Sequence, residues 1–156
     1  MTTQTLTPAR SRLNASYRNL TLWTLQGWIA MFFIAAGYAK LSEPMSNLVE
    51  LMRWPALAPE SMVRGLGVAE IILAVLVLAP LVSWKHGRPL LVTAAAGLLA
   101  LETIMFGVHL LGMELGLAAT NLILMAMTGW VMWKRAREVR QDPAASARQR
   151  SEQTFT

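Results

Sequence analysis

Four apolar runs, each close to twenty residues long, constrain this chain more than any other feature. They span residues 22–41, 65–82, 89–111 and 115–133. A bilayer's hydrocarbon core is about 30 Å thick and takes roughly 20 helical residues to cross. Backbone in lipid must also satisfy its own hydrogen bonds, which leaves helices and closed barrels as the spanning structures. The runs therefore predict an all-α, integral membrane four-helix bundle. The hydrophobic content of 54% and mean hydropathy of +0.42 agree, since soluble domains average roughly 45–50% apolar residues. Tryptophans mark the expected interfaces: Trp23 and Trp28 early in the first run, Trp84 after the second, Trp130 and Trp133 late in the fourth.

The formal charge of +5 and the pI near 10.5 do not indicate nucleic acid, because the basic residues sit beside the ends of apolar runs instead of forming one polar face. Eleven of the 14 lysines and arginines fall on one side: Arg10, Arg12 and Arg18, then Lys85 and Arg88, then Lys134, Arg135, Arg137, Arg140, Arg148 and Arg150. Only Lys40, Arg53 and Arg64 fall on the other. That asymmetry predicts both termini in the cytoplasm. The first run also has small residues, Gly37 and Ala39, in the manner of a signal-peptide cleavage site. The long polar stretch before it, and the loss of charge asymmetry if it were removed, favour a retained span.

The expected organisation is a cytoplasmic N-terminal tail (1–21), a four-span membrane domain (22–135) and a disordered cytoplasmic tail (136–156) with Pro143 and no apolar period. Between residues 42 and 64 a short helix is predicted from about Ser46, with Leu48, Leu51 and Met52 on one side and Trp54-Pro55 ending it. It would lie on the membrane or cap the bundle mouth. The link Gly112-Met113-Glu114 is too short for anything but an antiparallel hairpin.

The chain has no cysteine, which excludes disulfides, thiolate nucleophiles, thiolate zinc sites and iron–sulfur clusters. Any redox role must use a bound cofactor or a partner. His86 and His109 lie about 34 Å apart at roughly 1.5 Å per helical residue, so they do not jointly hold a haem. Glu102 and His109 alone make an incomplete metal-ligand set, and no metal is expected. The ten methionines show no ligand spacing and suit helix packing.

Function is sought among ionisable side chains within the apolar runs, because a charge near the centre of a membrane helix costs on the order of 2.5–3.5 kcal/mol. Such a group needs a partner, a cavity or a proton. Lys40, Glu70, His109 and Asn121 fall in the outer half of the bilayer, and Glu102 lies about 14 Å from the outer end of its span, at roughly 1.5 Å per residue. Glu102 and His109 are seven residues apart, within about 20° on a helix, and Asn121 and Thr128 repeat that spacing. Gly67 and Ala74 share the face of Glu70 and admit a neighbouring helix. Two accounts fit. In one, Lys40 or Arg64 neutralises Glu70, while Glu102 is protonated or bonded to His109 or Asn121, and the network fixes helix register. In the other, Glu70 or Glu102 exchanges a proton and the pocket holds a polar ligand head, such as a quinone ring, entering from the outer leaflet. Gln26 would be met by headgroups or a neighbouring helix.

The segments FFIAAGYAKL, RGLGVAEIILAVLVLAPL, ETIMFGVHL and ATNLILMAM together resemble the DoxX-like family of small four-helix bacterial membrane proteins, over about residues 22–135. The matching positions are Gly37, Lys40, Gly67, Glu70, His109 and Asn121; Glu102 falls where a small residue is more usual. The resemblance implies a multi-pass protein of the bacterial inner membrane with an outer-facing polar site. Family members are associated with thiosulfate oxidation coupled to quinone or with oxidative-stress complexes, and many have no assigned activity. The expected function is an accessory subunit of a membrane redox system, not an enzyme on its own. Lys40, Glu70, Glu102, His109 and Asn121 would bind a quinone-like molecule, and Gly37, Arg64 and Gly67 would serve packing. The alternatives are a scaffold or chaperone-like partner of another membrane or periplasmic protein, or a small permease, which would need an oligomer to form a lumen.

Overall fold

The computed structural model describes the backbone of residues 8–154 and the side chains of residues 12–140 except that of residue 85. Every described element is helical: α1 (Pro8–Ser42), α2 (Met45–Met52), a 3₁₀ turn (Trp54–Leu57), α3 (Glu60–Val77), a second 3₁₀ turn (Ala79–Leu81), α4 (Trp84–Leu111) and α5 (Leu115–Thr154). Four of these helices are long and apolar enough to cross a membrane. They pack as a bundle, α1 against α3 and α4 against α5, with α3 on α4 and α1 closing against α5.

Local chemistry sets the breaks. Pro59, extended at φ −66° and ψ 148°, precedes α3, and Pro80 stands in the turn that ends the second span, where its missing N–H cannot continue a helical ladder. Ser83 caps α4 by accepting a hydrogen bond from the His86 backbone N–H. The α4–α5 link is the tight antiparallel connection expected, but Met113, not Gly112, takes the left-handed conformation (φ 58°). The short helix begins at Met45, one residue before its predicted start. Leu48 is buried and Met52 half-buried, whereas Leu51 points away at 61% exposed. Positions 48 and 52 share a helix face, and 51 is turned far enough to miss the core.

Helix and membrane-spanning run do not coincide at the chain's ends. α1 starts well before residue 22, and α5 continues through residues 136–154, where a structureless tail was expected. Hydropathy marks where lipid would lie, not where a helix must stop, and Ala, Arg, Gln and Glu in that segment are good helix formers.

The radial pattern is inverted relative to a soluble protein. Large apolar side chains such as Trp28, Met31, Ile72, Val75, Ile104 and Ile123 are exposed, while Gln26, Lys40, Glu70, Glu102, His109, Thr128 and Arg135 are buried. Soluble proteins rarely expose so extensive an apolar surface; lipid favours it. The core is divided. One cluster, including Leu22, Ile29, Phe33, Val77, Leu91, Leu98 and Val131, fills the half of the bundle nearer the described ends of the chain. A second, Leu48, Trp54 and Val63 with Met105 and Val108 against them, lies under α2 at the other end, here called the distal end.

At the terminal end, aromatic rings and cations interleave. Trp23 and Trp84 meet at 6.2 Å between centroids, and Arg135 lies 5.5 Å and 5.0 Å from those rings. Lys134 and Arg137 sit over Trp133 at 4.5 Å and 3.9 Å. This arrangement suits an interfacial belt.

A polar cavity between the two cores

The site begins at a helix crossing. A Cβ built on Gly37 would lie 2.6 Å from the carbonyl oxygen of Gly67, and one on Gly67 would lie 2.8 Å from that of Gly37. Only glycine at both positions lets α1 and α3 approach so closely. Three residues beyond each glycine, one turn along its helix, stand Lys40 and Glu70. Lys40 Nζ donates to Glu70 Oε2 at 2.7 Å, with both side chains 5% exposed. The two short patterns, Gly-x-x-Lys and Gly-x-x-Glu, are therefore one device: the crossing sets the backbone distance and the next turn delivers the ion pair.

Arg64 does not join that pair. Its Nη1 donates to the main-chain carbonyls of Lys40 and Glu43, and its Nε and Nη2 bind Glu60 at 3.2 Å and 2.9 Å. It satisfies carbonyls at the C-terminal end of α1, which would otherwise lack partners. Of the two cations expected to neutralise Glu70, Lys40 is the one that does.

Glu102 on α4 accepts a hydrogen bond at Oε1 from Thr128 Oγ1 on α5, at 2.8 Å. Neither His109 nor Asn121 bonds to it. His109 Nδ1 pairs instead with Glu114 Oε2 at 2.6 Å, and Asn121 Nδ2 donates to the Leu117 carbonyl on its own helix at 3.0 Å. The reason is axial distance: positions 102 and 109 share a stripe but are separated by roughly 10 Å of helical rise, beyond any direct hydrogen bond. Glu102 Oε2 is buried and, among the described residues, has no hydrogen-bond partner.

These groups surround one cavity of about 110 Å³. α1 contributes Phe32, Phe33, Ala36 and Lys40; α3 contributes Glu70; α4 contributes Leu101, Glu102, Met105 and His109. α5 adds Leu117, Thr120, Asn121 and Leu124, and Met52 and Trp54 form the distal roof. The spacings 33/36/40, 102/105/109 and 117/120/121/124 are the one-face periodicity of helices. Thus all five side chains singled out from the sequence, Lys40, Glu70, Glu102, His109 and Asn121, line the same space. Gly37 and Gly67 build its wall, and Arg64 fastens its rim. Among the described residues no three His, Cys, Asp or Glu side chains gather as metal ligands.

Sequence reasoning missed three features. Thr128 was visible only as a stripe partner of Asn121, and Glu114 only as part of a link. The third is a second buried cluster, at the terminal end. Arg135, fully buried, donates to Gln26 Oε1 at 3.1 Å and 2.9 Å, to Glu138 at 2.9 Å and to Asn19 at 3.4 Å. Gln26 is met by a neighbouring helix, as one of its two expectations had it, but Arg135 looked like one more flanking charge.

The family model described as the DoxX-like family matches residues 24–131. No curated protein and no solved structure matches the chain.

Proposed function

The chain belongs to the DoxX-like family and is a multi-pass membrane protein; on that premise we propose that its distal cavity binds the polar head of a small lipid-soluble molecule of quinone type. In this reading the protein is an accessory subunit of a redox system in the bacterial inner membrane, its termini are cytoplasmic, and the cavity faces the outer leaflet. The single observation that carries the reading is Glu102 Oε2, a carboxyl oxygen at a buried cavity wall with no hydrogen-bond partner among the described residues.

Structural glue accounts for the other polar groups. Lys40–Glu70, His109–Glu114 and Thr128–Glu102 each join residues that would be costly to leave unpaired. Glue does not account for the orphan oxygen or for the space in front of it, since a buried acceptor left unmet costs about 1–3 kcal/mol. A bound group carrying a polar hydrogen, or an acceptor if the carboxyl is protonated, removes that cost. The size is suitable: an apolar cavity of about 150 Å³ in another protein takes up benzene, so about 110 Å³ accommodates a compact ring with slight widening. A quinone ring offers acceptors when oxidised and donors when reduced. Lys40 supplies N–H groups, Glu102 and the Asn121 carbonyl supply acceptors, and the His109 ring nitrogen not paired with Glu114 donates or accepts according to its tautomer. Because Lys40 and His109 each have an acidic partner already, an anion finds no free cation here, and a neutral head is favoured.

A permease reading is less well supported, since the apolar core of Ala94, Leu98, Leu91 and Val77 stands between the cavity and the terminal end. The test is equilibrium binding of a tritiated, decyl-tailed benzoquinone to the protein in lipid nanodiscs. Saturable one-to-one binding that weakens at least tenfold in Glu102→Leu and His109→Ala, measured at a temperature where both variants remain folded, is expected. Absence of saturable binding to the wild-type protein would sink the proposal.

A further inference from the structure

Of the fifteen residues lining the cavity, only Phe32 and Thr120 are exposed. Phe32 is on α1 and Thr120 on α5, and these two helices meet to close the bundle. From this we infer that the distal half of the α1–α5 seam is a lateral portal, through which a lipid-borne ligand enters sideways and its tail remains in the bilayer. The inference rests on the binding reading above and names the route and the ligand class: an amphiphile with a compact polar ring and a hydrocarbon tail.

The α1–α3 and α4–α5 walls and the roof are held by contacts already described. Gly37 and Gly67 bring α1 and α3 together with no room for a methyl group. Thr128–Glu102 ties α4 to α5 below the cavity, and the short link with His109–Glu114 ties them above it. The roof is seated by Leu48, fully buried, and Trp54, 7% exposed, on Val63 of α3 and on Met105 and Val108 of α4, which closes the direct path from water. The α1–α5 seam is different. Its hydrogen bonds, among the described residues, run from Arg135 to Gln26 and Asn19 at the terminal end, and none joins the two helices in the distal half.

The lip is chemically suited to lipid. Thr120 Oγ1 donates to the Gly116 carbonyl at 3.1 Å and Asn121 Nδ2 gives one of its two N–H groups to that of Leu117, so the hydroxyl at the lip does not demand water. Phe32 stands edge-on to Phe33 at 5.5 Å between centroids; Phe33 is 5% exposed and anchored in the core, which leaves Phe32 as the ring at the opening. Half-buried Ala36 and Leu117 lie between lip and cavity. The small side chains of Ala36 and Thr120 keep the mouth open.

The experiment follows association of the tritiated decyl-tailed benzoquinone with full-length protein in nanodiscs by rapid filtration. Three variants are compared with wild type: Ala36→Leu/Thr120→Leu to fill the mouth, Phe32→Ala to widen it, and Ile104→Trp as a bulky change on an exposed α4 surface outside the cavity lining. The portal predicts an association rate at least tenfold slower in the filled variant, several-fold faster with Phe32→Ala, and unchanged with Ile104→Trp. Acceleration by Phe32→Ala with saturable one-to-one binding intact comes from a folded protein, so it keeps the test decisive if the filled variant is unstable. Wild-type rates in both seam variants, with binding intact, would overturn the portal and leave the binding reading standing. No binding to wild type would overturn both.

Discussion

Replacing Gly37 by alanine should loosen the fold and the cavity together, because one crossing positions both. The added methyl carbon would stand 2.6 Å from the Gly67 carbonyl oxygen and 2.7 Å from Ile71 Cγ1. Against an ordinary contact of 3.4 Å, the shortfall to the carbonyl is about 0.8 Å. The carbonyl belongs to helical backbone and cannot rotate away, so α1 and α3 must separate locally by most of that distance. Overpacking of this kind costs about 1–3 kcal/mol, and the separation lengthens the 2.7 Å Lys40–Glu70 pair, so the upper part of that range, about 2–3 kcal/mol, is expected. Reversible unfolding in mixed micelles gives the number. Gly27→Ala and Gly129→Ala are the controls: a methyl at either meets nothing within 4 Å, and alanine's helix propensity makes them neutral or stabilising by up to about 1 kcal/mol. Gly37→Ala/Gly67→Ala should cost less than the sum of its parts, since both methyls relieve into the same gap. If Gly37→Ala proves as stable as Gly27→Ala, the crossing is not what sets the α1–α3 distance, and the account of the ion pair built on it fails.

Three further outcomes are expected. Glu70→Gln or Lys40→Met alone should destabilise the bundle by about 3–5 kcal/mol by stranding a buried charge, while Lys40→Met/Glu70→Leu recovers most of it; a double variant as unstable as the singles would contradict this. Arg135→Leu strands Gln26 and Glu138 at the terminal end and should cost about 2–4 kcal/mol, on the scale of a broken buried polar network, yet leave benzoquinone affinity within a factor of about two; a large loss of affinity would show the two clusters are coupled. Arg53, at φ 61° and ψ −56°, occupies a backbone region unfavourable to side chains. Arg53→Gly should therefore stabilise by up to about 1 kcal/mol, and a loss of stability in thermal melts would mean the side chain makes a stronger contribution than its backbone strain.

How much of this could be read from the chain varies feature by feature, for physical reasons. Four helical spans, the α4–α5 hairpin, the capping helix near Ser46 and the layer holding Lys40, Glu70, Glu102, His109 and Asn121 follow from hydropathy, rise per residue and turn length. Those quantities are local or one-dimensional and survive any arrangement of neighbours. Gly67, with Ala74 on the same face, also announced a close approach, although its partner glycine at 37 did not declare itself as such. What the sequence could not assign was who pairs with whom. Lys40 and Arg64 were equal candidates for Glu70 until the glycine crossing placed one beside it and the end of α1 claimed the other. Glu102 turned to Thr128, and His109 to Glu114, because hydrogen bonding is settled within about 3 Å, whereas helical phase locates a side chain only to within tens of degrees and several ångströms. Arg135 shows the same limit from the other direction: a flanking arginine and a buried hub have the same local sequence. The number of spans and the depth of each polar group were thus determined by the sequence alone. The pairings, the unpartnered oxygen of Glu102 and the cavity in front of it were decided only when helix rotation and crossing were fixed by packing.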